Sequence, residues 1–146
     1  MDSRLFVAFF VLVLSSCADL IFQDDFDQLD LRIWEHEITA AGGGNWEFEW
    51  YANNRSNSYV SNGILYIQPT LTADTIGESN LNNPAYALSL WGLTPASQCT
   101  GNAYFGCQRN GNGGGNVINP IQSVAMRTTR SMAMKYGRLE VSARLP

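Results

Sequence analysis

Between Asn45 and Asn53 the side chains alternate strictly. Trp46, Phe48, Trp50 and Ala52 fall on one face, and Asn45, Glu47, Glu49, Tyr51 and Asn53 on the other. Successive side chains of a strand point to opposite sides of a sheet, so this period of two fits a half-buried strand and not a helix. It predicts Trp46, Phe48 and Trp50 in a core. The same alternation sets Leu139, Val141, Ala143 and Leu145 against Arg138, Glu140, Ser142 and Arg144. Shorter strand-like runs lie at 20–26, 59–60, 64–67, 86–91, 123–128 and 132–136. Turn signals separate them at Asn62-Gly63, Asn82-Asn83-Pro84, Gly92, Asn119-Pro120 and Gly137. No helical period persists beyond the first 18 residues, and no internal repeat is present. Many short strands so punctuated predict an all-β sandwich or barrel.

The N-terminus reads differently. Arg4 leads an apolar run over residues 5–14 that ends at Ser15-Ser16-Cys17-Ala18, the pattern of a secretory signal peptide cleaved after Ala18. Ten apolar residues are too few to cross a bilayer, which takes about 20. Residues 1–18 are therefore expected to be removed, and residues 19–146 to make one modest domain of a secreted, extracellular protein without a membrane partner. Cleavage also removes Cys17. In an oxidising compartment the remaining pair, Cys99 and Cys107, most simply forms a disulfide, with two free buried thiols as the alternative.

Residues 92–120 form a long interval with the glycine-rich run Asn110-Gly111-Asn112-Gly113-Gly114-Gly115-Asn116. Such a run reads as a flexible surface loop, or as a functional loop where it is ordered. It is not a phosphate cradle, because no lysine follows it. The net charge is −4 with only 15% charged residues, so no basic footprint for nucleic acid exists. The lone His36 stands between Glu35 and Glu37. Adjacent residues on a strand cannot converge on one metal ion, so all three are expected at the surface, with no metal and no cofactor implied.

Sugars require planar hydrogen-bonding groups and flat apolar surfaces. The polar face of the 45–53 segment offers both, so Asn45, Tyr51 and Asn53, with Arg55 beyond them, are the candidate saccharide ligands. The alternative is that they satisfy loop backbone at a sheet edge. Asn54-Arg55-Ser56 is also an N-glycosylation sequon at Asn54.

Several motifs stand in a recognisable order: Phe22-Gln23-Asp24-Asp25-Phe26, then Trp34 through Val60, then Asn62-Gly63-Ile64-Leu65-Tyr66-Ile67. Asn119-Pro120-Ile121-Gln122-Ser123 and Lys135-Tyr136-Gly137-Arg138-Leu139-Glu140-Val141 follow. Together they resemble the N-terminal part of glycoside hydrolase family 16, in its endo-β-1,3-glucanase (laminarinase) and β-1,3-glucan-binding branch. The resemblance implies a concanavalin A-like jelly-roll β-sandwich, of which residues 19–146 supply about the first half, and a β-1,3-glucan partner. It also implies retaining hydrolysis by two glutamates about 5–5.5 Å apart in a Glu-x-Asp-x-x-Glu strand.

No such motif occurs in residues 1–146, so no catalytic residue is assigned, and the chain is expected to be truncated before that strand. The leading expectation is a secreted protein whose full-length form hydrolyses laminarin-type glucans. The alternative is a non-catalytic β-1,3-glucan recognition protein of innate immunity. Glu47 and Glu49, about 7 Å apart along one strand face, are expected to line a solvated or glycan-facing surface rather than replace the catalytic pair. Where the family pattern carries a strand arginine this chain has Ala125. Losing one charge-assisted donor costs about 1.5–3 kcal/mol of binding. Some members of the family hold a structural calcium ion, but no ligand set for one is assignable here.

Overall fold

The computed structural model describes residues 19–42, 45–111 and 118–145. Residues 1–18, expected to be a signal peptide, and the centre of the glycine-rich run lie outside them. Nine short strands dominate the described residues, accompanied by two short helices, and no sheet closes into a barrel. This is an all-β chain, consistent with a fragment of a jelly-roll sandwich.

The clearest local element is the hairpin of β3 (Ser58–Ser61) and β4 (Ile64–Ile67). Asn62 and Gly63 link the strands with φ of 52° and 70°. Two consecutive positive φ values make the turn whose twist matches the strands it joins, and Asn-Gly is the pair that adopts it most readily. Tyr59 and Tyr66, directly opposite one another, stack with centroids 5.0 Å apart.

The central sheet is built from distant pieces. β8 (Ile121–Ser123) lies between β2 (Glu49–Tyr51), to which it is parallel, and β5 (Thr70–Leu71), to which it is antiparallel. β1 (Glu35–His36) pairs with β9 (Met126–Arg127), and β6 (Ala87–Ser89) with β7 (Gln108–Asn110), both antiparallel. Ile38, Ala40, Trp50, Leu88, Leu90 and Ile118 form the buried core. Trp50 also satisfies its indole N–H on Thr72 Oγ1 at 2.9 Å, and that hydroxyl donates in turn to the Asn119 carbonyl. Asn57, fully buried, ties the hairpin to the sheet by donating to the carbonyls of Gln68 and Gln122 while accepting from Gln122 Nε2.

Several expectations are corrected. Of the three aromatics assigned to the core, only Trp50 is buried; Trp46 is 63% and Phe48 73% exposed. The strand begins at Glu49, and residues 45–48 form a turn in which Asn45 and Glu47 N–H donate to the Gly42 carbonyl and Trp46 takes φ of 59°. A left-handed residue resets the direction of the chain, so alternation before it does not report a face. The strand expected over 138–145 is not formed among the described residues, and Leu139, Val141 and Leu145 are exposed. The long 92–120 interval contains strand β7. The helices α1 (Thr72–Ile76) and α2 (Glu78–Leu81) are too short to print a helical period on the sequence. His36, expected at the surface, is buried, because the pairing of β1 with β9 turns Glu35 and Glu37 outward and His36 inward.

Candidate functional site

A cavity of about 220 Å³ opens where β1 meets the segment after β2, lined among others by Trp34, Glu35, His36, Asn53, Thr100 and Arg130. Trp34 is fixed by its indole N–H to Asp24 Oδ2 at 2.6 Å and by Phe22 and Phe26 packed against its ring. Glu35 accepts from Arg130 Nη2 at 2.8 Å, and Glu37 from Arg127 Nη1 at 3.1 Å. Both carboxylates are thus neutralised at the rim by arginines of the β9 region.

Inside the rim, Arg55 Nη2 lies 3.1 Å from His36 Nε2 and also donates to Asn53 Oδ1. A guanidinium can only donate, so Nε2 must offer its lone pair and the imidazole proton sits on Nδ1. Ser58 Oγ is 2.9 Å from the same nitrogen. Burial, and then the Arg55 charge, hold the His36 pKa down at about 4. Asn53 completes the group by donating from Nδ2 to the Ala96 carbonyl at 3.0 Å.

The four candidate ligands fall into three places. Asn53 lines the cavity and Arg55 backs it through His36. Tyr51 belongs to another group: its hydroxyl lies 3.1 Å from Glu47 Oε2 and 3.3 Å from Glu49 Oε1. Burial and these two carboxylates push the phenol pKa well above its ordinary value, so Tyr51 is a standing donor between two acids. Asn45 sits exposed in the turn before β2. Asn54 is half-buried, its side-chain oxygen accepting from Ser56 N–H at 2.9 Å. Sequence reasoning missed His36, Trp34 and Arg130, and for Arg130 no signal existed: it meets Glu35 across 95 positions of chain.

Cys99 and Cys107 form a disulfide. The enclosed loop is laced to the 38–40 segment, with Thr39 Oγ1 donating to the Gly101 carbonyl and Ala40 N–H to the Gly106 carbonyl. Gly106 is required here, because a Cβ would run into Thr39 Oγ1 and the Gly101 carbonyl.

An all-β sandwich fragment bearing a half-open cavity of aromatic, amide and paired-charge groups has the make-up of a binding surface. Comparison with known proteins narrows the class. The chain is 51% identical over 128 residues to the β-1,3-glucan-binding protein of Penaeus monodon, covering 87% of this chain and 34% of that one. It is 29% identical over 130 residues to β-1,3-glucan-binding protein 1 of Manduca sexta, covering 87% and 25%. Gram-negative bacteria-binding protein 1 of Drosophila melanogaster is 29% identical over 132 residues, with 87% and 25% covered. These relatives support kinship with the β-1,3-glucan-binding proteins. The chain spans about a third or less of their length. No family model matches the chain, and no solved structure matches it.

Proposed function

We propose that this chain is the N-terminal part of a glycoside hydrolase family 16-like domain in a secreted protein that recognises β-1,3-glucan without cleaving it. The observation that carries the reading is 51% identity, over most of the chain, to a protein named for binding β-1,3-glucan. The names of the relatives favour recognition over the endo-glucanase reading. So does the state of Glu47 and Glu49, both facing one Tyr51 hydroxyl, whereas a retaining pair needs one carboxylate free to attack and one to protonate. In this reading residues 1–18 are the export signal, Asn54 carries N-linked carbohydrate, and the protein works outside the cell.

The cavity at Asn53 is the proposed glucan contact. Trp34 supplies an apolar flank, and Asn53 and Thr100 supply hydrogen bonds, with Arg55 acting through Asn53. Asn45 and Tyr51 extend the polar strip along β2. The full-length secreted protein should be retained by insoluble β-1,3-glucan (curdlan), eluted by soluble laminarin, and should release no reducing ends from either. Absence of retention would remove the recognition reading. Steady release of reducing ends would restore the glucanase.

A further inference from the structure

A second cavity, of about 150 Å³, lies at the other end of β2 and is lined by Trp46, Glu47, Phe48, Arg109, Asn119 and Pro120. Two of these residues, Arg109 and Asn119, bring polar side chains to the cavity. Arg109 is 1% exposed, and among the described residues its only acceptor is the Ala40 carbonyl. Two N–H groups of a five-donor guanidinium are so engaged, and the Trp46 ring lies 5.5 Å away, Cζ to centroid. Asn119, 7% exposed, uses Nδ2 on the carbonyls of Glu47 and Glu49, but its Oδ1 is buried without a partner. A buried acceptor left unmade is costly, and it asks for an explanation.

The rim of this cavity is aromatic and held under strain. Trp46 and Phe48 line it and Tyr104 adjoins it, 6.5 Å from Trp46 between ring centroids; all three are more than half exposed. Five non-glycine residues among those described have positive φ, and Trp46, Tyr104 and Phe105 are three of them. Bulky residues in that region cost on the order of 1–3 kcal/mol each and persist only where the surroundings impose them. The Cys99–Cys107 disulfide and the bonds to Thr39 and Ala40 do so here.

We propose that this cavity is a saccharide-binding site separate from the one at Asn53, taking a single neutral pyranose ring. The polar groups select the ligand. A sugar hydroxyl accepts from a guanidinium and donates to an amide oxygen, so neighbouring hydroxyls answer both Arg109 and Asn119. An anion would meet Arg109, leave Asn119 Oδ1 unmet and face the Glu47 carboxylate. A purely apolar ligand would meet neither group. The flat C–H face of the ring packs on Phe48 or the open side of Trp46. At about half the volume of the smallest drug-sized pockets, roughly 300 Å³, the site holds one ring and not a chain.

Seven residues separate Trp46 from Asn53, so the two cavities lie within at most about 25 Å of each other along the chain. One polysaccharide can therefore span them and gain avidity. The choice of β-1,3-glucan as ligand rests on the function proposed above; the saccharide chemistry of the site does not.

The test uses the full-length protein labelled with 5-fluorotryptophan, its Trp46 resonance assigned by loss in Trp46→Phe. Laminarin, cellopentaose and mannopentaose are titrated into wild type and Asn53→Ala. The expected result is a saturable shift of the Trp46 resonance with laminarin, retained in Asn53→Ala. Trp46→Ala/Tyr104→Ala, altering only exposed side chains, should weaken laminarin binding about tenfold through lost avidity. Trp91→Ala, equally exposed but outside this cavity, should change it less than twofold. A shift with mannopentaose or cellopentaose but none with laminarin would uphold the site and overturn β-1,3-glucan as its ligand. A Trp46 resonance that moves with no saccharide, while laminarin still binds, would overturn the site and leave the proposed function standing.

Discussion

At the residue scale, His36 is the group whose chemistry the fold changes most. Its imidazole is buried, accepts a hydrogen bond from Arg55 and keeps a pKa of about 4 against an ordinary 6.5. The folded chain therefore binds a proton at this site less readily than the unfolded chain. Stability contributed by neutral His36 is complete above pH 6.5, declines as pH falls, and is gone near pH 4. A shift of this size corresponds to a loss of about 2 kcal/mol by pH 5. Urea unfolding of the full-length protein at pH 7 and pH 5 should show that loss, and His36→Gln, which cannot take up the proton, should show much less of it. Equal acid sensitivity in the variant would place the effect elsewhere. Since Arg55 reaches Asn53 through the same hydrogen-bonded group, protonation of His36 should also loosen the wall of the Asn53 cavity.

At the scale of elements, local and non-local determinants separate cleanly. The β3–β4 hairpin follows from Asn62-Gly63 and from apolar residues on either side, and the structure contains it where the sequence puts it. The 99–107 loop depends on its covalent link. Closing eight residues of chain contributes about 2–3 kcal/mol in the chain-entropy account. Here it also holds Tyr104 and Phe105 in left-handed conformations. In the full-length protein Cys99→Ser/Cys107→Ser should lower stability by up to that amount. It should also make the loop, already exposed at residues 102–105, the first point of proteolytic cleavage. Unchanged thermal midpoint and cleavage pattern would show that the hydrogen bonds to Thr39 and Ala40 suffice. The same substitution should abolish the ordered contact between Tyr104 and Trp46, linking the disulfide to the second saccharide site.

At the scale of the whole molecule, the distribution of apolar surface is the main fact. Leu20, Ile21, Ile64, Ile67, Leu71, Leu139, Val141 and Leu145 are each at least half exposed, while the buried apolar cluster is small. Contiguous apolar surface and unpaired strands favour association. Expressed alone, residues 19–146 should bind 8-anilinonaphthalene-1-sulfonate strongly, lack a sharp thermal transition and elute as aggregates. A monomer with a cooperative transition would show that the core around Trp50 is sufficient by itself.

The sequence by itself determined the all-β character of the chain, the Asn62-Gly63 hairpin and the Cys99–Cys107 pairing, and placed Trp50 in the core. These follow from local steric preferences and from period-two patterning, which a strand prints directly on its residues. It also marked Asn53 and Arg55 as candidates, because amide and guanidinium groups hydrogen-bond sugar hydroxyls; it left open that they satisfy loop backbone, as Asn53 does at the Ala96 carbonyl. Only the tertiary structure decided which aromatics are buried. The left-handed turn at Trp46 breaks the alternation, and no residue-by-residue pattern announces it. Tertiary structure also buried His36, brought Arg130 to Glu35, and set Arg109 and Asn119 beneath Trp46 and Phe48. Each of these contacts joins residues tens of positions apart through strand register. Register is a property of the paired sheet and not of either strand alone.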